Sequence, residues 1–212
     1  MNDVVIRPLR FTADVDAMRA FLETLGLQAR IESERGGWTV LLAGRGAVSL
    51  HDAATSDTGG RPGQTRLTFE AEDIDELKST LENAGYDDVT IFDEAFGRVL
   101  SVAGPDGTKL WIDERSKDLY GYRELDTRPD ERLSVTPRLT VSDQPAWERL
   151  LDVLGVDQKV YFAAGDEPAV RLELTTSEDL DGVVRRVGAH ATRTDDGLEI
   201  VDPDGETVVV HG

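Results

Sequence analysis

The stretch Leu9–Leu27, LRFTADVDAMRAFLETLGL, joins an extended run, an acidic residue and an amphipathic run closed by glycine. Leu9 to Thr12 read as a strand. Asp14 reads as an N-cap, because its carboxylate can accept from the open N–H groups of a first helical turn. Val15, Met18, Phe21, Leu22 and Leu25 then recur at helical spacing, and Gly26 stands where a left-handed closing residue is needed. The same order returns at Leu67–Tyr86, Leu139–Val156 and Leu172–Gly188. Two copies end in near-identical turns, Gly104-Pro105-Asp106-Gly107 and Asp202-Pro203-Asp204-Gly205. The repeat predicts an α+β protein of tandem βαβββ units, with curved, cup-like mixed sheets and helices packed outside.

Around this stretch, Ala29–Glu32, Trp38–Ala43 and Ala47–His51 read as strands, separated by Gly36-Gly37 and Gly44-Arg45-Gly46 turns. A polar loop, Ala53–Gln64, leads to the second unit. There a strand Arg66–Ala71 precedes an Asp73-capped helix bearing Ile74, Leu77, Leu81 and Ala84, stopped by Gly85. Strands Val89–Phe92, Gly97–Ala103 and Lys109–Asp113 follow. Glu114–Leu133 is charged and poor in aliphatics, and reads as a linker containing a short helix. Its Tyr120-Gly121-Tyr122 is expected to pack on the neighbouring domain, or else to cover a pocket.

The expected domains are 1–115 and 133–212, with a linker at 116–132. In the second, Asp143 caps a helix bearing Trp147, Leu150, Leu151 and Leu154, ended by Gly155. A single strand, Lys159–Ala163, precedes the next opening strand, Ala169–Thr175. One β-hairpin is missing, so this domain is a trimmed copy.

The net charge of −19 predicts no affinity for nucleic acid or anionic membranes. The chain has no cysteine, which removes disulfides, thiolate ligands and thiol nucleophiles. No apolar run reaches membrane-spanning length, and no basic-then-apolar leader opens the chain, so a cytoplasmic protein is expected.

The segments Leu9–Asp16, Phe69–Asp75, Gly104–Gly107 and Asp202–Gly205, in this order and spacing, resemble the vicinal oxygen chelate superfamily. That superfamily includes glyoxalase I, extradiol dioxygenases and bleomycin-resistance proteins. The resemblance covers both halves and implies two units per domain around an open cup. In the enzymes of that family, His, Gln or Glu from the first and last strands of each unit hold a divalent metal. Those positions fall here on Arg7 or Ile6, on Ser49 or His51, on Arg66, and on Trp111 with Asp113 two residues on. In the second half they fall on Thr136, Arg171 and Val209. Arginine is a permanent cation and repels a metal, and fewer ligands remain than a site needs. No metal and no cofactor is therefore expected. The resemblance then points to the metal-independent small-molecule-binding members, with binding rather than catalysis as the activity.

Alternation along the strands predicts what lines the first cup. With Leu67 and Phe69 facing the helix, Arg66, Thr68 and Glu70 face the cup. Leu9 and Phe11 are read the same way, which sends Arg10 to the cup. The expected ligand-binding set is Arg10, Trp38, His51, Arg66, Glu70, Trp111 and Asp113. It suits a planar or partly charged small molecule, with Trp as a stacking face and Arg as a donor fork. Each has a plainer reading. Arg10 and Glu70 would neutralise each other, Trp38 and Trp111 would be core aromatics, and His51 a solvated strand end. His211, the penultimate residue, is read as inert. Two other functions stay open. One is a metal-dependent lyase or dioxygenase with a non-standard site of His51, Glu70 and Asp113. The other is a degenerate module for protein contacts. A homodimer fits the family resemblance, and the tandem second domain could supply the same partner surface within one chain.

Overall fold

In the computed structural model, which describes residues 3–57, 59–94, 97–115 and 119–212, the expected opening strands are cut in two. Val4–Ile6 (β1) and Leu9–Thr12 (β2) flank Arg7 and Pro8. Helix α1 (Val15–Leu25) and strands β3 (Gln28–Ser33), β4 (Trp38–Leu42) and β5 (Ala47–Asp52) complete the first unit. The second runs β6 (Thr65–Arg66), β7 (Thr68–Ala71), α2 (Ile74–Asn83), β8 (Thr90–Glu94), β9 (Gly97–Ala103) and β10 (Lys109–Glu114). Strand β1 leaves its own unit and pairs with β7, Ile6 opposite Phe69. Strand β6 makes the return exchange onto β2. The sheets are therefore β1-β7-β10-β9-β8 and, with β11 (Tyr122–Glu124) added, β11-β3-β4-β5-β2-β6.

The crossing point is Arg7-Pro8. The Arg7 N–H donates to the Thr68 carbonyl at 2.9 Å, while the Pro8 carbonyl accepts from the Ser49 N–H at 2.9 Å. Proline has no N–H to leave unpaired, so the ladder can change partner there without cost to a donor.

The second half repeats the device. Its elements are β12 (Leu133–Val135), β13 (Arg138–Val141), α3 (Gln144–Leu154), β14 (Tyr161–Ala164), β15 (Ala169–Arg171), β16 (Glu173–Thr176), α4 (Leu180–Val187), β17 (Ala191–Thr194), β18 (Gly197–Val201) and β19 (Thr207–His211). The Thr136 N–H crosses to the Glu173 carbonyl at 2.9 Å, and the Pro137 carbonyl accepts from Tyr161 at 3.0 Å. The sheets are β12-β16-β19-β18-β17 and β14-β13-β15. Strand β14 lies parallel to β13 just as β5 lies parallel to β2. The missing hairpin is thus the counterpart of β3–β4, and α3 leads straight to the closing strand.

The local signals in the sequence are realised. Asp14 caps α1 by accepting from the Ala17 N–H, Asp73 caps α2, and Asp143 caps α3. Met18 and Leu22 of α1 share a core with Leu41, Val48 and Leu50, while Ile74, Leu77 and Leu81 of α2 share it with Phe69, Leu110 and Ile112. Each such side chain contributes roughly 1.5–3 kcal/mol by leaving water.

The stretch expected as a linker is strapped to the first half. Strand β11 pairs with β3, the Thr127 hydroxyl donates to the Ala29 carbonyl at 2.6 Å, and the Gly44 N–H donates to Asp130 at 3.2 Å. Its described part forms a strand where a short helix was expected, and Lys117-Asp118 lie outside the described residues. Tyr122 packs edge-on against Trp38 in the first half, ring centroids 5.1 Å apart, and Tyr120 is exposed.

The facing of β2 is opposite to the expectation. Arg10 lies opposite Leu50, and Phe11 opposite His51. Because Leu50 belongs to the helix-packed core, Arg10 is on the helix side and Phe11 on the cup side. Counted from the caps, Arg10 matches Phe69, and Phe11 matches Glu70. Hydrophobicity alone misassigned the pair, since Phe11 is buried inside the cup and Arg10 against the other half of the molecule.

That contact joins the halves. The Arg10 guanidinium pairs with Asp202, lies 3.9 Å from Asp204, and donates to the Gly63 carbonyl and, at 3.1 Å, to Thr65. The Ala13 N–H donates to Asp204 at 2.9 Å. Reciprocally, Trp147 of α3 covers the Gly104 turn so closely that a Cβ there would lie 3.0 Å from its ring. Helix α1 packs on α4, and α2 on α3. Replacing Arg10 by Ala strands a buried carboxylate without its counter-charge, at a cost of about 3–5 kcal/mol. Urea unfolding of Arg10→Ala is expected to show a loss of that size. A loss below about 1 kcal/mol, the range of exposed pairs, would contradict the joint.

Candidate functional site

Strand register places Trp111 opposite Thr68, and Asp113 opposite Glu70. Leu67, Phe69, Leu110 and Ile112 belong to the helix-packed core, so Thr68, Glu70, Trp111 and Asp113 occupy the opposite, cup-facing side. Glu70 there receives Arg7 at 3.4 Å, Arg30 at 2.9 Å and Arg115 at 2.8 Å. Arg7 also pairs with Asp113, and Arg115 with Asp3 at 3.2 Å. Burial pushes the Glu70 carboxyl up, but the three guanidiniums outweigh it and hold it below the usual carboxylate range. Burial pulls the Arg7 guanidinium down, with Glu70 opposing. An ion network thus occupies the part of the cup around Glu70 and Asp113.

The second half solves the same problem with different residues. Glu173, with no exposed side-chain surface, receives Arg138 at 2.7 Å, Arg171 at 2.7 Å and His211 Nε2 at 2.7 Å. His211 Nδ1 lies 2.9 Å from the Asp196 carbonyl. Burial raises the Glu173 carboxyl, and hydrogen bonds from Arg138, His211 and Arg171 bring it below its ordinary value. His211, read as inert from its place near the end of the chain, is buried in this network.

These residues do not fit a divalent metal. Arg7 holds both cup carboxylates of the first half, so a guanidinium already supplies the positive charge. Arg66, Arg171 and Val209 bring no metal-binding donor, and the Thr136 hydroxyl is engaged with that of Thr175 at 2.9 Å. Among the described residues, no group of three or more His, Asp or Glu is arranged to hold an ion. His51 stands apart from Glu70 and Asp113, with Nδ1 2.9 Å from the Asp52 carbonyl and its ring 6.2 Å from Phe11.

The remaining expected residues divide among other places. Trp38 walls a surface hollow of about 360 Å³ with Arg19, Glu32 and Arg123. Arg66 lies 4.9 Å above the Phe11 ring and, with the cup-facing Thr68 and Trp111, lines a cavity that extends between the two halves. That cavity measures about 340 Å³. The first half contributes Leu9, Arg66, Asp106 and Trp111 to its walls, and the second Leu139 and Trp147. The indole N–H groups of Trp111 and Trp147 and one Asp106 carboxylate oxygen are buried without a partner among the described residues. Trp147 was read from sequence only as a helix-core residue, because helical spacing reports burial and not which surface is covered.

Glu70 and Glu173 are held below their unfolded values, so both stabilise the fold above about pH 4.3. That contribution is lost as pH falls from there through the depressed native values. Asp202 has the opposite sign, since burial raises it and Arg10 only partly offsets this. Urea unfolding across pH is expected to show steep loss below about pH 4. Glu70→Gln is expected to cost about 3 kcal/mol at neutral pH and to show a shallower acid loss. Wild-type stability that stays flat down to about pH 3 would contradict the two networks.

No protein-family model and no curated protein matches the chain. Solved structures do. Homoprotocatechuate 2,3-dioxygenase from Arthrobacter globiformis superposes with a TM-score of 0.63 at 15% identity, over 98% of this chain and 78% of that one. A catechol 2,3-dioxygenase superposes with a TM-score of 0.62 at 15% identity, over 98% and 86%. The homoprotocatechuate 2,3-dioxygenase of Brevibacterium fuscum, in an anaerobic complex with 3,4-dihydroxyphenylacetate, gives 0.62 at 15% identity, over 99% and 81%. These extradiol dioxygenases are members of the vicinal oxygen chelate superfamily. With its exchanged opening strands and curved mixed sheets in both halves, this chain has the vicinal oxygen chelate fold.

Proposed function

We propose that the protein binds a small planar molecule without a metal, in the cavity between its halves. The observation that carries this is the pairing of two tryptophans, Trp111 and Trp147, in the walls of one largely apolar cavity of about 340 Å³. Aromatic walls favour a flat ligand. An indole N–H buried without a partner costs on the order of 1–3 kcal/mol. A ligand acceptor reaching either indole would recover part of that, and a ligand donor could meet Asp106. Arg66 at the wall favours a molecule with some negative charge.

The dioxygenase neighbours favour a second reading, a metal-dependent ring-cleaving enzyme. It requires His51, Glu70 and Asp113 to converge, whereas Arg7 holds the two carboxylates and His51 lies apart. Oxygen uptake with catechols and added Fe²⁺ that disappears in His51→Ala would favour it.

The binding reading is tested by tryptophan fluorescence. In a Trp38→Phe variant, the two remaining tryptophans both report on the cavity. Titration with catechols, aromatic carboxylates, and aromatic and peptide antibiotics is expected to give a saturable change with at least one class. Trp147→Ala is expected to weaken that binding at least about tenfold, or 1.4 kcal/mol. Failure of every class with a folded sample would sink the proposal.

A further inference from the structure

Loss of the hairpin leaves the second cup without the wall that β3 and β4 give the first, and three cations gather at its rim in a chain whose net charge is −19. In the first half β3 and β4 wall the cup, and Arg30 of β3 reaches Glu70 across it. In the second half α3 runs directly to β14, and no such wall exists. The register shows the result. Val201 and Glu199 of β18 share a face with Val209, which lies opposite Glu173. Val201 at the edge of this face is 53% exposed, whereas Val209 and Glu173 at its centre are buried.

Three cations, two of them guanidiniums, gather here around one buried carboxylate, Glu173. Arg138 and Arg171 both bond to Glu173, yet their side chains remain 23% and 45% exposed. Each engages Glu173 through Nε and Nη2, and neither Nη1 has a partner among the described residues. Lys159 is exposed, lies 4.1 Å from the Tyr161 ring and donates to its hydroxyl at 2.9 Å. Arg138 lies 5.1 Å from the same ring, and His211 stacks on it at 4.3 Å. Glu199, exposed on the same face, forms no ion pair with these cations among the described residues. Three cations against Glu173 and Glu199 leave one positive charge on this face, with unused guanidinium donors and an exposed ammonium.

We infer that this open cup is a binding site for a phosphate monoester, a dianionic oxyanion that the free Nη1 donors of Arg138 and Arg171 and the ammonium of Lys159 would hold. Guanidinium forks match phosphate oxygens in geometry and are only weakly hydrated. Glu173 orients both arginines from beneath and leaves their outer edges to the ligand. The site is separate from the interdomain cavity, so the two proposals stand or fall independently.

Isothermal titration of the intact chain with inorganic phosphate and with methyl phosphate, at constant ionic strength, tests this. Saturable binding is expected, weakened at least tenfold in Lys159→Gln and in Arg171→Gln. Lys159 is exposed and outside the buried pair, so its variant separates binding from folding, which circular dichroism checks in each case. Lack of saturable heat from the wild type overturns the inference. Equal affinity in folded Lys159→Gln and Arg171→Gln does so too. Tighter binding of succinate than of either phosphate would assign the site to carboxylates and overturn the phosphate inference.

Discussion

Glu70 projects from β7 into a cup that three arginines enter from elsewhere in the first half: Arg7 after β1, Arg30 on β3 and Arg115 after β10. A carboxylate buried this deeply is tolerable only because it is paired and hydrogen-bonded throughout. Arg7 reaches it because the chain changes sheets at Pro8, so the crossing and the ion network depend on each other. The same logic recurs around Glu173, where Arg138 follows Pro137. Each half thus meets its cup carboxylate with cations that the chain carries itself. This supplies the positive charge that a divalent ion would bring.

The halves are joined by one further buried pair, Arg10 with Asp202, and by Trp147 lying over the Gly104 turn. The near-identical Pro-Asp-Gly turns are therefore points of mutual grip. One bounds the interdomain cavity through Asp106. A ligand held between Trp111 and Trp147 would touch both halves, so its binding and their mutual orientation are coupled.

Much of the fold was legible in the sequence, because its signals are local. The Asp14, Asp73 and Asp143 caps, the helix faces and the missing hairpin all follow from short-range spacing. The exchange of β1 and β6 between units was not legible, since strand pairing is a long-range choice. Pro8 marks the break without naming the new partner. The site was harder. Alternation placed Glu70, Trp111 and Asp113 on the cup side of their strands, as the register has them. For β2 it assumed that a phenylalanine faces the helix, and Phe11 does not. Arg7, Arg30 and Arg115 are scattered in sequence and meet only in space. Trp147 gave a clear helical signal that said nothing of the second half's contact with the first.

The central claim is that arginine–carboxylate networks occupy the places where metal ligands would stand. Elemental analysis tests it directly, on protein purified without chelator and again after incubation with Zn²⁺, Mn²⁺, Fe²⁺ and Ni²⁺. The account predicts no stoichiometric metal under any of these conditions. Metal bound at close to one ion per chain, and lost on replacing Glu70 or Asp113, would contradict it.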